Sequence, residues 1–225
     1  MPKTDNPLKV VVREFAPDFA AWLLDVDKVD ITHVRSVNIE LSTEAVRSDM
    51  VFHVTLTGGR ATLLHIEFQG PRSKRPMSLR MLDYMSRLVQ QEQSGLCSAV
   101  LYVGDGAGAR DEGIHQVDCP AGGLALTWRY RVVRLWQMRA EDFLALDRPA
   151  LLTLIGQTRI EEPERIVPQV VKTIGKTPDV RERGRLFAAL ISLIRDEEVL
   201  EMAEQLVKAI EHEPLMNTPF LRRVR

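Results

Sequence analysis

Two alternating segments, RSDMVFHVTL at 47–56 and ATLLHIEFQ at 61–69, are separated only by Thr57-Gly58-Gly59-Arg60, and no other stretch constrains the fold as much. Side chains on a strand point alternately to the two faces of a sheet, so parity decides which of them can meet. Met50, Phe52, Val54 and Leu56 share one face of the first segment; Asp49 and His53 lie on the other. In the second, Leu64, Ile66 and Phe68 share a face, opposite His65, Glu67 and Gln69. Burying both apolar sets together requires even-numbered positions to pair with even ones. A three-residue loop pairing Leu56 with Arg60 achieves this and sets Asp49 opposite Glu67. A two-residue Gly-Gly turn would pair Thr57 with Arg60 and send Asp49 to the wrong face, and the glycines permit either geometry. The hydrophobic register therefore predicts a hairpin with two acids facing each other.

Close carboxylates on a half-buried surface repel, and a cation relieves that cost. Oxygen ligands of this kind suit magnesium or manganese, so Asp49 and Glu67 are the expected metal ligands. The plainer alternative is that Asp49 caps its strand and Glu67 bridges to an arginine.

The rest of the chain supplies the frame. Apolar periodicity predicts a helix over 8–24, kinked by Pro17, and a second over 77–93. Residues 34–41 alternate like a strand, 97–103 form a short apolar strand, and 128–136 form another. The Gly-, Asp- and Ala-rich stretch 104–127 is expected to be a loop; Gly104–Gly108 fits neither the dinucleotide fingerprint nor a P-loop. From residue 139 only helices are expected, at 140–146, 149–156, 163–174, 181–194 and 196–210. The expected organisation is an α/β core at 1–138 and a helical segment at 139–225.

With 30 Lys+Arg against 31 Asp+Glu, the chain does not look like a protein that coats nucleic acid through many phosphate contacts. A local basic rim is still available from Arg72, Lys74, Arg75, Arg129, Arg131 and Arg134, although each alone is better read as solvated surface. No apolar run is long enough to span a bilayer, and MPKTDNPLKV lacks the apolar core of a secretion signal. Cys97 and Cys119 have neither disulfide-framework nor zinc spacing. A cytoplasmic location without membrane association is expected.

Taken together, Arg47-Ser48-Asp49-Met50-Val51-Phe52, Leu63-Leu64-His65-Ile66-Glu67-Phe68-Gln69 and Met77-x-x-Arg80-Met81-Leu82-x-Tyr84 resemble the PD-(D/E)XK nuclease superfamily. Within it, the match is to the bacterial recombination-promoting nuclease (Rpn-like) and transposase-related group, over residues 5–145. The resemblance implies a restriction-endonuclease-like core, a central mixed β-sheet flanked by helices, carrying a helical C-terminal extension. It implies a metal-dependent DNA endonuclease linked to recombination or mobile elements, with Asp49 and Glu67 binding Mg2+ or Mn2+. Gln69 stands where most members carry lysine; its amide can orient water but supplies no positive charge. Arg80 and Tyr84 would support the substrate phosphate. They share a helical stripe with Arg87 and Gln91. Glu14 is a further candidate acid, and His65 shares the face of Glu67. DNA is the implied partner, and a homodimer is compatible with cutting both strands. The alternative keeps the fold and drops the chemistry: a catalytically weak or inactive nuclease-fold protein serving as a nucleic-acid-binding or protein-interaction module. A third reading is a structural helical adaptor built around 140–210.

Overall fold

A computed structural model of the chain describes residues 5–37, 50–71, 76–92, 95–120 and 122–216. Asp49, the basic residues Arg72, Lys74 and Arg75, and part of the strand expected at 34–41 lie outside the described residues. The chain divides into two compact units, Met1–Trp136 and Gln137–Arg225.

The first unit is mixed α/β. Helices α1 (Asp5–Glu14) and α2 (Ala16–Leu24) precede strands β1 (Ile31–Ser36), β2 (Met50–Leu56) and β3 (Ala61–Gln69). Helix α3 (Met77–Glu92) leads to β4 (Gly95–Tyr102), β5 (Ile114–Asp118), β6 (Leu124–Arg129) and β7 (Arg131–Arg134). The helix expected over 8–24 is split at Phe15, and Pro17 sits in the first turn of α2, where its missing N–H leaves no helical bond unmade. Five strands form one sheet in the order β1-β2-β3-β4-β7, while β5 and β6 form a separate pair. The pairs β3–β4 and β4–β7 are parallel and the others in the main sheet antiparallel. Helix α3 supplies the crossover that the parallel β3–β4 pair needs.

The β2–β3 register is the one that hydrophobic parity selects. Met50 pairs with Ile66, Phe52 with Leu64 and Val54 with Thr62. The backbone N–H of Leu56 donates to Arg60 O at 2.8 Å, which closes the three-residue loop Thr57–Gly59. Gly58 and Gly59 sit at φ +80° and +79°, left-handed conformations that side chains disfavour, so this turn depends on both.

Both faces of the sheet are covered. On one, Phe52, Val54, Leu64, Ile66 and Phe68 are buried, as are Leu8, Val11, Val12 and Phe19 of α1 and α2, with α2 lying against β1. On the other, α3 packs down: Leu88 joins Val51 and Leu63, while Met77, Met81 and Tyr84 join Val100 and Tyr102.

The stretch 104–127 is not simply a loop. It contains β5 and the first part of β6, and the strand expected at 128–136 is broken at Tyr130. Ile114, Val117, Leu124 and Leu126 of that hairpin are exposed. They therefore give no burial periodicity, and the surrounding glycines mask their alternation.

The second unit is helical: α4 (Ala140–Ala145), α5 (Pro149–Leu152) running into a 3-10 turn (Thr153–Gln157), α6 (Pro163–Gly175), α7 (Val180–Leu193) and α8 (Glu197–Met216). Prolines open α5 and α6, and Asp179 caps α7 by accepting from the Glu182 N–H at 2.7 Å. Ile166, Val170, Ile174, Leu186, Leu190, Leu193 and Ala203 form its buried side. Among the described residues, no helix is long and apolar enough to cross a membrane.

Candidate active site

Glu67 is near the end of β3, a strand paired on both sides and roofed by α3, and its side chain is 0% exposed. The half-buried acidic surface expected from alternation is thus a buried one, because the polar face of the hairpin is the face that α3 covers. A carboxylate removed from water in this way needs compensation. Arg80, in the first turn of α3, supplies it: its Nη2 donates to Glu67 Oε2 at 2.8 Å. The neighbouring Nη1 donates to Gln69 Oε1, also at 2.8 Å. One guanidinium fork therefore holds a carboxylate oxygen and an amide oxygen two residues apart on the same strand face. The Gln69 amide is fixed from its other side, where Nε2 donates to Gly70 O at 2.7 Å.

The second oxygen, Glu67 Oε1, lies 3.3 Å from His65 Nε2, and His65 Nδ1 lies 3.3 Å from Ser98 Oγ on β4. With Nε2–H donating to the carboxylate, Nδ1 is left to accept from the serine hydroxyl. The result is a buried Ser98–His65–Glu67 chain that fixes the carboxylate plane. Tyr84 closes it from above, its ring edge-on to His65 with centroids 5.3 Å apart.

This arrangement revises the polar stripe expected on α3. Tyr84 is buried in the apolar cluster under the helix, with the Arg80 guanidinium carbon 5.9 Å from its ring centroid. Arg87 pairs with Asp83 at 2.9 Å one turn away. Glu14 ends α1 as an exposed residue. Arg80, Glu67, Gln69 and His65 are brought together; Asp49, expected opposite Glu67, is outside the described residues.

Beside this cluster lies a second polar node that composition did not reveal. The Asp111 carboxylate accepts from Tyr130 Oη at 2.9 Å, from the Gly113 N–H at 3.0 Å and from Tyr102 Oη, and it faces His115 Nε2 at 3.3 Å. Arg134 Nε donates to Gly108 O at 2.7 Å, and Trp136 Nε1 donates to Ala107 O at 2.9 Å. Gly108 packs so closely on Tyr102 that a Cβ there would lie 2.4 Å from the ring. Gly108, and Gly113, whose Cβ would lie 2.4 Å from Tyr130 O, therefore permit a close approach that a side chain would block. Tyr102 pairs with Gln69 across β3–β4, so the node abuts the Glu67 cluster. The supposed basic rim is partly spent here too: Arg134 braces the node, and Arg131 donates to Trp22 O and Leu23 O.

Burial first, then the bond to Asp111, pushes the Tyr102 and Tyr130 hydroxyls above the ordinary tyrosine range; Arg134 and Arg80 oppose this at Tyr102. Because the folded-state pKa lies above the unfolded one, the stabilisation is complete below about pH 10 and lost as pH rises toward the folded-state value. Phenolate absorbance is therefore expected to show both tyrosines ionising only together with alkaline unfolding. Ionisation of all three tyrosines at an ordinary pH, with tryptophan fluorescence unchanged, would contradict this.

Comparisons with protein-family models, with curated proteins and with solved structures return no match. Among the described residues, no three His, Cys, Asp or Glu side chains cluster as a metal set. The oxygens of Glu67 and Gln69 nevertheless converge on one positive centre, and carboxylate with amide oxygen is a donor pair suited to a hard divalent cation.

Proposed function

We propose that this chain is a metal-dependent DNA endonuclease with a restriction-endonuclease-like core of the PD-(D/E)XK type. The observation that supports it best is the convergence of Glu67 Oε2 and Gln69 Oε1 on a single cationic group, at 2.8 Å each. In this reading Glu67, Gln69 and Asp49 would hold Mg2+ or Mn2+, which when bound would supply Lewis-acid polarisation of a phosphate oxygen and a lowered pKa for a bound water. His65 and Ser98 hold the Glu67 carboxylate in one plane, and α3 shields it from bulk water, which strengthens its electrostatics. The Gln69 amide orients a water without taking its proton. Arg80, 22% exposed, is the group that can meet an arriving phosphate.

A second reading has its own support. Glu67 already has a positive partner in Arg80, and glutamine replaces the usual lysine, both of which suit a nuclease-fold module that binds nucleic acid or protein without cutting.

Plasmid nicking separates the two. Cleavage with Mg2+ or Mn2+ is expected, abolished by EDTA and lowered at least ~100-fold in Asp49→Ala and in Glu67→Ala. Salt-sensitive DNA retention with no cleavage would select the binding module. Equal cleavage by the wild type and both variants would remove the nuclease reading.

A further inference from the structure

We infer that Arg80 is a built-in competitor of the divalent cation: its guanidinium and the ion contend for the same two oxygens, Glu67 Oε2 and Gln69 Oε1. The inference rests on the proposed metal site and adds how that site is regulated. Both oxygens are occupied by one fork, so a cation binding between them meets two donor N–H groups aimed at the lone pairs it needs. Two positive charges a few ångströms apart in a site screened from water repel strongly, so the ion and the docked guanidinium exclude each other.

The geometry also says which group yields. Glu67 is 0% exposed and held at Oε1 by His65, whereas the Arg80 side chain is 22% exposed on a long, flexible stem. The buried Tyr84 ring, one helical turn on, lies 5.9 Å from the guanidinium carbon and gives it a cation–π contact besides the two oxygens. Arg80 is therefore the mobile member, and its departure exchanges one cation for another on a carboxylate that remains compensated throughout.

A directional consequence follows. Once displaced from the two oxygens, the Arg80 fork stays at the edge of the site with a geometry matched to a phosphate. A phosphodiester that engages it removes the competitor, so DNA and the divalent ion bind with positive coupling, and by linkage each tightens the other equally. Without DNA the guanidinium keeps the site closed.

The test is the Mn2+ affinity of the full chain, read from the free-ion EPR signal, with and without a short DNA duplex. Arg80→Gln is expected to bind Mn2+ at least ~10-fold more tightly than wild type without DNA, and to lose the tightening that DNA confers. Arg80→Lys keeps the charge but can engage only one of the two oxygens, so a gain of about threefold is expected; it decides the matter if Arg80→Gln does not fold. Wild-type binding that Glu67→Gln abolishes, with no gain in either Arg80 variant, overturns the competition while leaving the metal site standing. No Glu67-dependent binding in wild type or variants overturns the metal site itself.

Discussion

Arg80→Ala is expected to destabilise the α/β unit by about 3–5 kcal/mol, and to cost more than Glu67→Ala does. The asymmetry comes from burial. Glu67 is fully enclosed, so removing Arg80 takes the guanidinium from Oε2 of a buried carboxylate that still has His65 at Oε1. Removing Glu67 instead frees a guanidinium whose side chain is 22% exposed and can turn to solvent, which limits the loss to about 1–3 kcal/mol. Gln69 and Tyr84 add to the difference, because Arg80→Ala also strips the Gln69 amide oxygen of its donor and uncovers the Tyr84 ring. Urea unfolding read by tryptophan fluorescence measures this cleanly, since Trp22, Trp128 and Trp136 all lie in the first unit. Equal costs, or a larger cost for Glu67→Ala, would contradict the description of a buried acid held by a mobile base.

Asp111→Ala is the second change with a large expected effect, about 2–4 kcal/mol on the same unit. One carboxylate, its side chain only 10% exposed, serves two tyrosine hydroxyls, a histidine and a backbone N–H. Its loss takes the acceptor from Tyr102 Oη and the Gly113 N–H, while Tyr130 Oη and His115 Nε2 keep each other at 2.9 Å. Asp111→Asn should fall in between, because its remaining oxygen still accepts while its amide nitrogen opposes the donors around it. The effect should spread to Gln69, which is paired with Tyr102. The same urea measurement tests it. A cost under about 0.5 kcal/mol for Asp111→Ala would show the node to be dispensable.

What could be read in the chain depended on where burial is periodic. The β2–β3 register was legible because burying four even-numbered apolar residues of β2 with Leu64, Ile66 and Phe68 requires even positions to pair with even ones, which the three-residue loop allows and a two-residue turn does not. The long helices were legible for the same reason. The depth of Glu67 was not, because alternation shows that a face is polar but not whether a helix lies over it; α3 does, through Leu88, Tyr84 and Arg80. Tyr84 looked polar by spacing and proved to be core, since its hydroxyl-bearing ring packs with Met77 and Met81. The β5–β6 hairpin escaped because its apolar residues are exposed. Asp111 carried no signal at all: nothing in a glycine-rich stretch announces that distant Tyr102 and Tyr130 will meet on it.

Whether the oxygens of Glu67 and Gln69 form a cation site is decided by an anomalous-difference map from crystals grown with a short DNA duplex and soaked in Mn2+. A manganese peak is expected within about 2.0–2.6 Å of Glu67 Oε2, with the Arg80 guanidinium withdrawn from both oxygens. A map with no peak at Glu67, and Arg80 still bridging Glu67 and Gln69, would contradict a cation site there.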